Sequence, residues 1–164
     1  MSNLINDTFA DQIERGEIYI FSDTISISEA ADLPNTYSRI DYLVTTGASQ
    51  STVIFGLSST LSMTIILYEG ESFGAGTGSL SSFNMNRNIA NTLLTGIEYK
   101  DTFGAPSGTI IYKETAPEGV FSDASPFNSG AGFVFKPNTQ YLLEVQPTAG
   151  REVPLNVKFF VREL

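Results

Sequence analysis

The 164-residue sequence contains no cysteine, no histidine and no tryptophan. Without cysteine there can be no disulfide, no thiolate metal site and no cysteine nucleophile. Without histidine the commonest metal ligand is missing, and so is the side chain that titrates near neutrality at its unperturbed pKa; serines then lack their usual general base. Cations are scarce, with 9 Lys and Arg against 18 Asp and Glu and a net charge of −9. Such a chain is repelled by nucleic acid, whose protein affinity rests on Lys and Arg neutralising phosphates, and equally by anionic membranes. The acidity serves solubility or selects a basic partner surface. No stretch approaches the ~18 consecutive apolar residues of a membrane span. Met1–Gly16 holds acidic residues and no apolar signal core, so synthesis in a cytoplasm is expected. The Asn6-Asp7-Thr8 sequon has no meaning there.

What is present is alternation with period two, which reads as half-buried strand. In 155–161, Leu155, Val157, Phe159 and Val161 face one way, Asn156 and Lys158 the other, and Phe160 breaks the rule. Leu61, Met63, Ile65 and Leu67 alternate with Ser62 and Thr64; Ile40, Tyr42 and Val44 share a face, as do Tyr141, Leu143 and Val145. Shorter candidates, rich in residues that suit a pleated surface, are 17–21, 25–28, 52–57, 92–99, 108–114 and 131–135. Pro, Gly and Asn clusters such as Leu33-Pro34-Asn35, Ala116-Pro117-Glu118-Gly119 and Lys136-Pro137-Asn138 separate these runs as turns. One all-β domain of about nine or ten strands follows, a two-sheet antiparallel β-sandwich of jelly-roll type spanning 17–164.

Two segments depart from the alternation. In the N-terminal arm, 1–16, Ile5, Phe9 and Ile13 recur every four residues, which stacks them on one face of a short helix. Asn6 or Asp7 is placed to cap its start and Gly16 its end. The helix either folds back on its own sandwich or reaches a neighbouring subunit. Gly70–Ser82 is too small and polar for a core and reads as a long flexible loop.

Motifs for chemistry are weak. Gly74, Gly76 and Gly78 begin a dinucleotide-type spacing, but its third glycine falls on Ser79 and no helix follows. Glu69, Glu71, Glu98 and Glu114 are scattered on polar faces rather than spaced as a hydrolytic pair, and no loop has calcium-ligand spacing. No catalytic residue, cofactor or metal is expected. Asn84, Asn86, Arg87 and Asn88 stand out, because three amides and a guanidinium in close order are costly to bury unpaired. In an extended segment the three asparagines share one side, either as a hydrogen-bonded bulge that fixes loops within one subunit or as a subunit contact centred on Arg87.

Around this element the chain resembles the jelly-roll head-decoration, or cement, proteins of tailed bacteriophages. The resemblance runs from about Gly16 onward. It is carried by Leu67-Tyr68-Glu69-Gly70, Gly76-Thr77-Gly78, Asn84–Asn88, Pro106–Thr109, Ser129–Gly132, Lys136–Leu143 and Arg162-Glu163, in that order. Met1–Arg15 has no counterpart in it. The resemblance implies a non-enzymatic structural protein of the virion, made in the host bacterial cytoplasm. It would sit on the outer capsid surface as a homotrimer, bridging and stabilising major capsid protein subunits, with neither nucleic acid nor membrane as partner. Leu4, Ile5, Phe9 and Ile13 are the expected capsid-contact arm. The alternative is a glycan- or receptor-binding module of a phage tail or baseplate, using exposed tyrosines among Tyr37, Tyr42, Tyr68 and Tyr99.

Overall fold

Alternating strands need a second sheet to cover their apolar faces, and a computed structural model supplies one. It describes residues 8–27, 36–60, 62–70, 75–101, 106, 108–116, 132–147 and 152–164. Within these, α1 (Phe9–Glu14) is followed by β1 (Tyr19–Ile27), β2 (Thr36–Tyr37), β3 (Ile40–Thr45), β4 (Ser51–Ser58), β5 (Met63–Glu69) and β6 (Gly78–Ser79). Then come β7 (Ser82–Asn84), β8 (Gly96–Lys100), β9 (Thr109–Ala116), β10 (Phe133–Phe135), β11 (Gln140–Pro147) and β12 (Val153–Glu163).

The first sheet runs β10-β4-β12-β1-β2, with β7 also on β1, and the second runs β6-β8-β3-β11-β5-β9. The antiparallel partners β1 with β12, β3 with β11, β4 with β10 and β5 with β9 nest inside one another along the chain. That is one long hairpin rolled over on itself, the jelly-roll topology. The expected all-β sandwich with a short N-terminal helix is therefore the fold. Candidates 17–21 and 25–28 are one continuous strand, β1.

Inward side chains of both sheets form the core: Phe21, Val53, Val157 and Phe159 from the first meet Tyr42, Val44, Leu67, Tyr141 and Leu143 from the second. Each fully buried large apolar side chain contributes roughly 1.5–3 kcal/mol. Tyr42 meets Phe159 edge-on, with ring centroids 5.5 Å apart, and Phe135 stacks on Tyr141 at 3.7 Å.

The run between β5 and β9 departs from expectation. Residues 71–74, with Gly74, lie outside the described residues, but the end of the proposed flexible loop is zipped onto the second sheet. Gly78 and Ser79 pair with Tyr99 and Glu98, and Thr77 N–H donates to Tyr99 O at 2.8 Å. Gly78 packs tightly on Tyr99: a Cβ there would lie 2.5 Å from the Tyr99 hydroxyl, so the ring would have to shift to admit one. The candidate strand 92–99 is reduced to Gly96–Lys100. Residues 91–95 cross the end of the sandwich instead, and side chains take their backbone donors: Leu93 N–H goes to Asn91 Oδ1, and Leu94 and Thr95 N–H both go to Glu163 Oε1.

Candidate functional site

The junction between helix and sandwich is built from short-range capping chemistry. Thr8, not Asn6 or Asp7, is the N-cap. Its Oγ1 accepts Asp11 N–H at 3.2 Å, while Asp11 Oδ2 accepts Thr8 N–H at 2.8 Å, a reciprocal capping box. At the other end Gly16 sits at φ +72°. Gly16 N–H donates to Ile13 O at 2.9 Å and Glu17 N–H to Gln12 O at 3.0 Å, the paired bonds of a Schellman stop. The helix itself buries no residue. Phe9 and Ile13 are only half-buried, and Leu4 and Ile5 lie outside the described residues.

The asparagines hold this junction. Asn84 is buried, and its Nδ2 donates to Gly16 O at 2.9 Å. Asn86 Nδ2 donates to Glu14 O at 2.8 Å, so two amides take up carbonyls that the helix end leaves open. Their oxygens work in the opposite sense. Asn84 Oδ1 accepts Asn86 N–H at 2.9 Å, and Asn86 Oδ1 accepts Asn88 N–H at 3.1 Å. Successive Asx turns of this kind bend the chain, so β7 stops at Asn84 and the three asparagines do not share one side of an extended segment. These asparagine bonds all lie within one chain. Arg87 is exposed, with its guanidinium carbon 5.2 Å above the Phe83 ring.

The charges around Glu17 tie the same junction to β12. Glu17 accepts from Arg15 at 2.6 Å and pairs with Arg162 at 2.7 Å. The Arg15 hydrogen bond, helped by the Arg162 charge, holds its carboxyl below the usual range.

Sequence reasoning missed a second cluster, on the face of the second sheet turned away from the core. Leu43, Ile66, Tyr68 and Leu142 are buried there. Beside them lie Asp41, fully buried, and Glu144, 7% exposed and its register partner. Arg39 bridges the two carboxylates, donating from Nε and Nη2 to Asp41 at 2.7 Å each and reaching Glu144 at 3.2 Å. Burial pushes the Glu144 carboxyl up; Arg39 opposes this and the Asp41 charge adds to it. Arg39-x-Asp41 is readable as an ion pair along a strand, but Glu144 joins it only through cross-strand register.

The other candidates are engaged in the framework. Glu69 accepts from Lys136 and from the Tyr141 hydroxyl, Glu98 accepts Gly76 N–H at 3.1 Å, and Glu114 accepts the Tyr112 hydroxyl. Burial, together with that bond to Glu114, pushes the Tyr112 hydroxyl up to about 12. Glu71 lies outside the described residues. Tyr42 and Tyr68 are buried, Tyr99 half-buried, and the Tyr37 side chain lies outside what is described. Among the described residues no three Asp or Glu side chains converge as a metal site.

On the outward face of the first sheet Ser22, Thr24, Pro154, Asn156 and Lys158 are exposed. A groove of about 360 Å³ runs along it, lined by Ser22, Asp23, Thr24, Gly56, Asn156 and Lys158, among others. No protein-family model, no curated protein and no solved structure matches this chain.

Proposed function

We propose that this protein is a structural component of a tailed-phage virion. It lies on the outer capsid surface as a symmetric oligomer, a trimer in the simplest arrangement, and bridges major capsid protein subunits. One observation carries the reading: a helix whose Phe9 and Ile13 are only half-buried is fastened at its C-terminal end, by asparagine side chains, to a rigid two-sheet body. A stiff block with an apolar arm fixed at its base suits a clamp that spans a junction. Stabilisation then follows from linkage, since a protein that binds only the assembled lattice stabilises it by its binding free energy. Many copies make modest affinities count. The test is deletion of residues 1–15 followed by co-sedimentation with capsid shells. Binding should fall at least tenfold while the sandwich still melts cooperatively, and undiminished binding would remove the arm from the mechanism.

A second reading, a glycan- or receptor-binding module of a tail or baseplate, draws on the hydroxyl- and amide-lined groove over Ser22, Thr24 and Asn156. Binding of the isolated protein to host surface sugars, with none to heads, would favour it.

A further inference from the structure

The outward face of the first sheet differs from the rest of this acidic chain. Outward positions alternate with core positions along each strand. They are Ile20, Ser22, Thr24 and Ser26 on β1, and Pro154, Asn156, Lys158, Phe160 and Arg162 on β12. On β4 they are Thr52, Ile54, Gly56 and Ser58, with Phe83 on β7 and Val134 on β10. None is a carboxylate, although acidic residues outnumber basic ones 18 to 9 in the chain.

Register arranges the apolar members in a row. Phe83 pairs with Ile20, Ile20 with Phe160, and Phe160 with Ile54, across four neighbouring strands. Phe160, which breaks the alternation of β12, is the centre of this row and, like Ile20 and Ile54, is half-buried, so the exposed apolar surface lies at the two ends. Phe83 is 48% exposed at one end and Val134 60% exposed beyond the other. The outer face of a sandwich is ordinarily polar, and exposed apolar side chains at both ends of a half-buried apolar row mark a contact surface.

Cations border the row. Lys158 lies one step along β12 from Phe160 and lines the groove floored by Gly56, where a side chain would meet open space. Neither exposed Lys158 nor Arg87 beside Phe83 has a carboxylate partner among the described residues. Arg162 is paired with Glu17, but its Nε–H is buried without an acceptor.

We infer that this face lies against the capsid shell, and that the shell meets it with apolar side chains bordered by carboxylates. The inference rests on the capsid reading above. Charge argues against a second copy as the occupant. An isologous contact sets a patch against itself, which here would oppose the exposed cations Lys158 and Arg87 to their own copies, with Asp23 as the one carboxylate among the groove-lining residues.

The test uses the full chain, cognate capsid shells, and Lys158→Glu and Phe83→Asp, with Lys113→Glu as the same charge change on an exposed position of the second sheet. Circular dichroism checks folding, and exposed Lys158 keeps the test valid if Phe83→Asp fails to fold. Lys158→Glu should weaken co-sedimentation at least tenfold, and Lys113→Glu less than twofold. If the unaltered protein binds and Lys158→Glu binds equally well, the face is wrong while the capsid reading stands. If Lys158→Glu dissociates a soluble oligomer and leaves shell binding unchanged, the face is a self-contact and the inference falls. If the unaltered protein ignores shells, both readings fall together.

Discussion

Asn84 and Asn88 are the same residue type four positions apart, yet they do different work. Asn84 is buried and donates to a carbonyl that has no other partner among the bonds described, whereas Asn88 contributes its backbone N–H. Asn84→Ala should therefore cost about 1–3 kcal/mol, the penalty for a polar group left unsatisfied, and Asn88→Ala should stay within about 0.5 kcal/mol. Urea unfolding of both variants checks the contrast. The Arg39 cluster makes a sharper case. Replacing Arg39 with Met leaves two buried carboxylates facing each other and should cost about 3–5 kcal/mol. Glu144 carries the opposite sign. Its folded pKa is raised, so the native state binds the extra proton, and stability falls as pH climbs from the ordinary glutamate value of about 4.3 through the folded one. Glu144→Gln should then raise the melting temperature at pH 7 and leave it unchanged at pH 4. Glu17 and Glu69, whose pKa values are lowered by Arg15 and Lys136, work the other way: their contribution is present above the ordinary value and disappears as acid is added. Composition singled out the asparagines because clustered amides need partners. It was silent on Arg39, Asp41 and Glu144, because strand register, and not spacing along the chain, brings that third charge in.

At the scale of elements, strands with strict alternation were readable and those without it were not. β12, β5, β3 and β11 lie where period two places them, because one face of each meets the core. β2, β6 and β7 are two or three residues long and too short to show any period. Residues 92–95 look like strand by composition, but Asn91 and Glu163 divert their donors out of the ladder. The helix was found by its four-residue repeat, whereas its cap was misplaced because Asn6 and Asp7 are also good capping residues; the reciprocal bond to Asp11 favours Thr8. Since α1 is held by caps and asparagines, Thr8→Ala should destabilise the helix by about 1 kcal/mol. Hydrogen exchange is the direct check. The Gln12 amide, bonded to Thr8 O at 3.2 Å, should exchange faster while global unfolding is unchanged.

Over the whole molecule, the jelly roll was legible as an all-β class from strand count and turn spacing. The pairing of strands was not, because which strands become neighbours depends on closing the rolled hairpin. Segregation of charge was equally invisible: a net value of −9 gives no hint that, among the described residues, none of the outward strand positions of one sheet is a carboxylate. That face predicts a salt dependence opposite to a purely apolar contact. If it meets carboxylates, shell binding should weaken as ionic strength rises and the screening length shortens from about 10 Å at 0.1 M to about 3 Å at 1 M; binding that strengthens with salt would point to apolar contact alone.

The pairing of Tyr19–Ile27 with Val153–Glu163 has a consequence for biosynthesis. At about 5–20 residues per second, β1 leaves the ribosome on the order of ten seconds before its main partner is made. Throughout that interval an apolar strand is exposed in the crowded cell, where chaperones or neighbouring nascent chains compete for it, and polysome spacing becomes a determinant of yield.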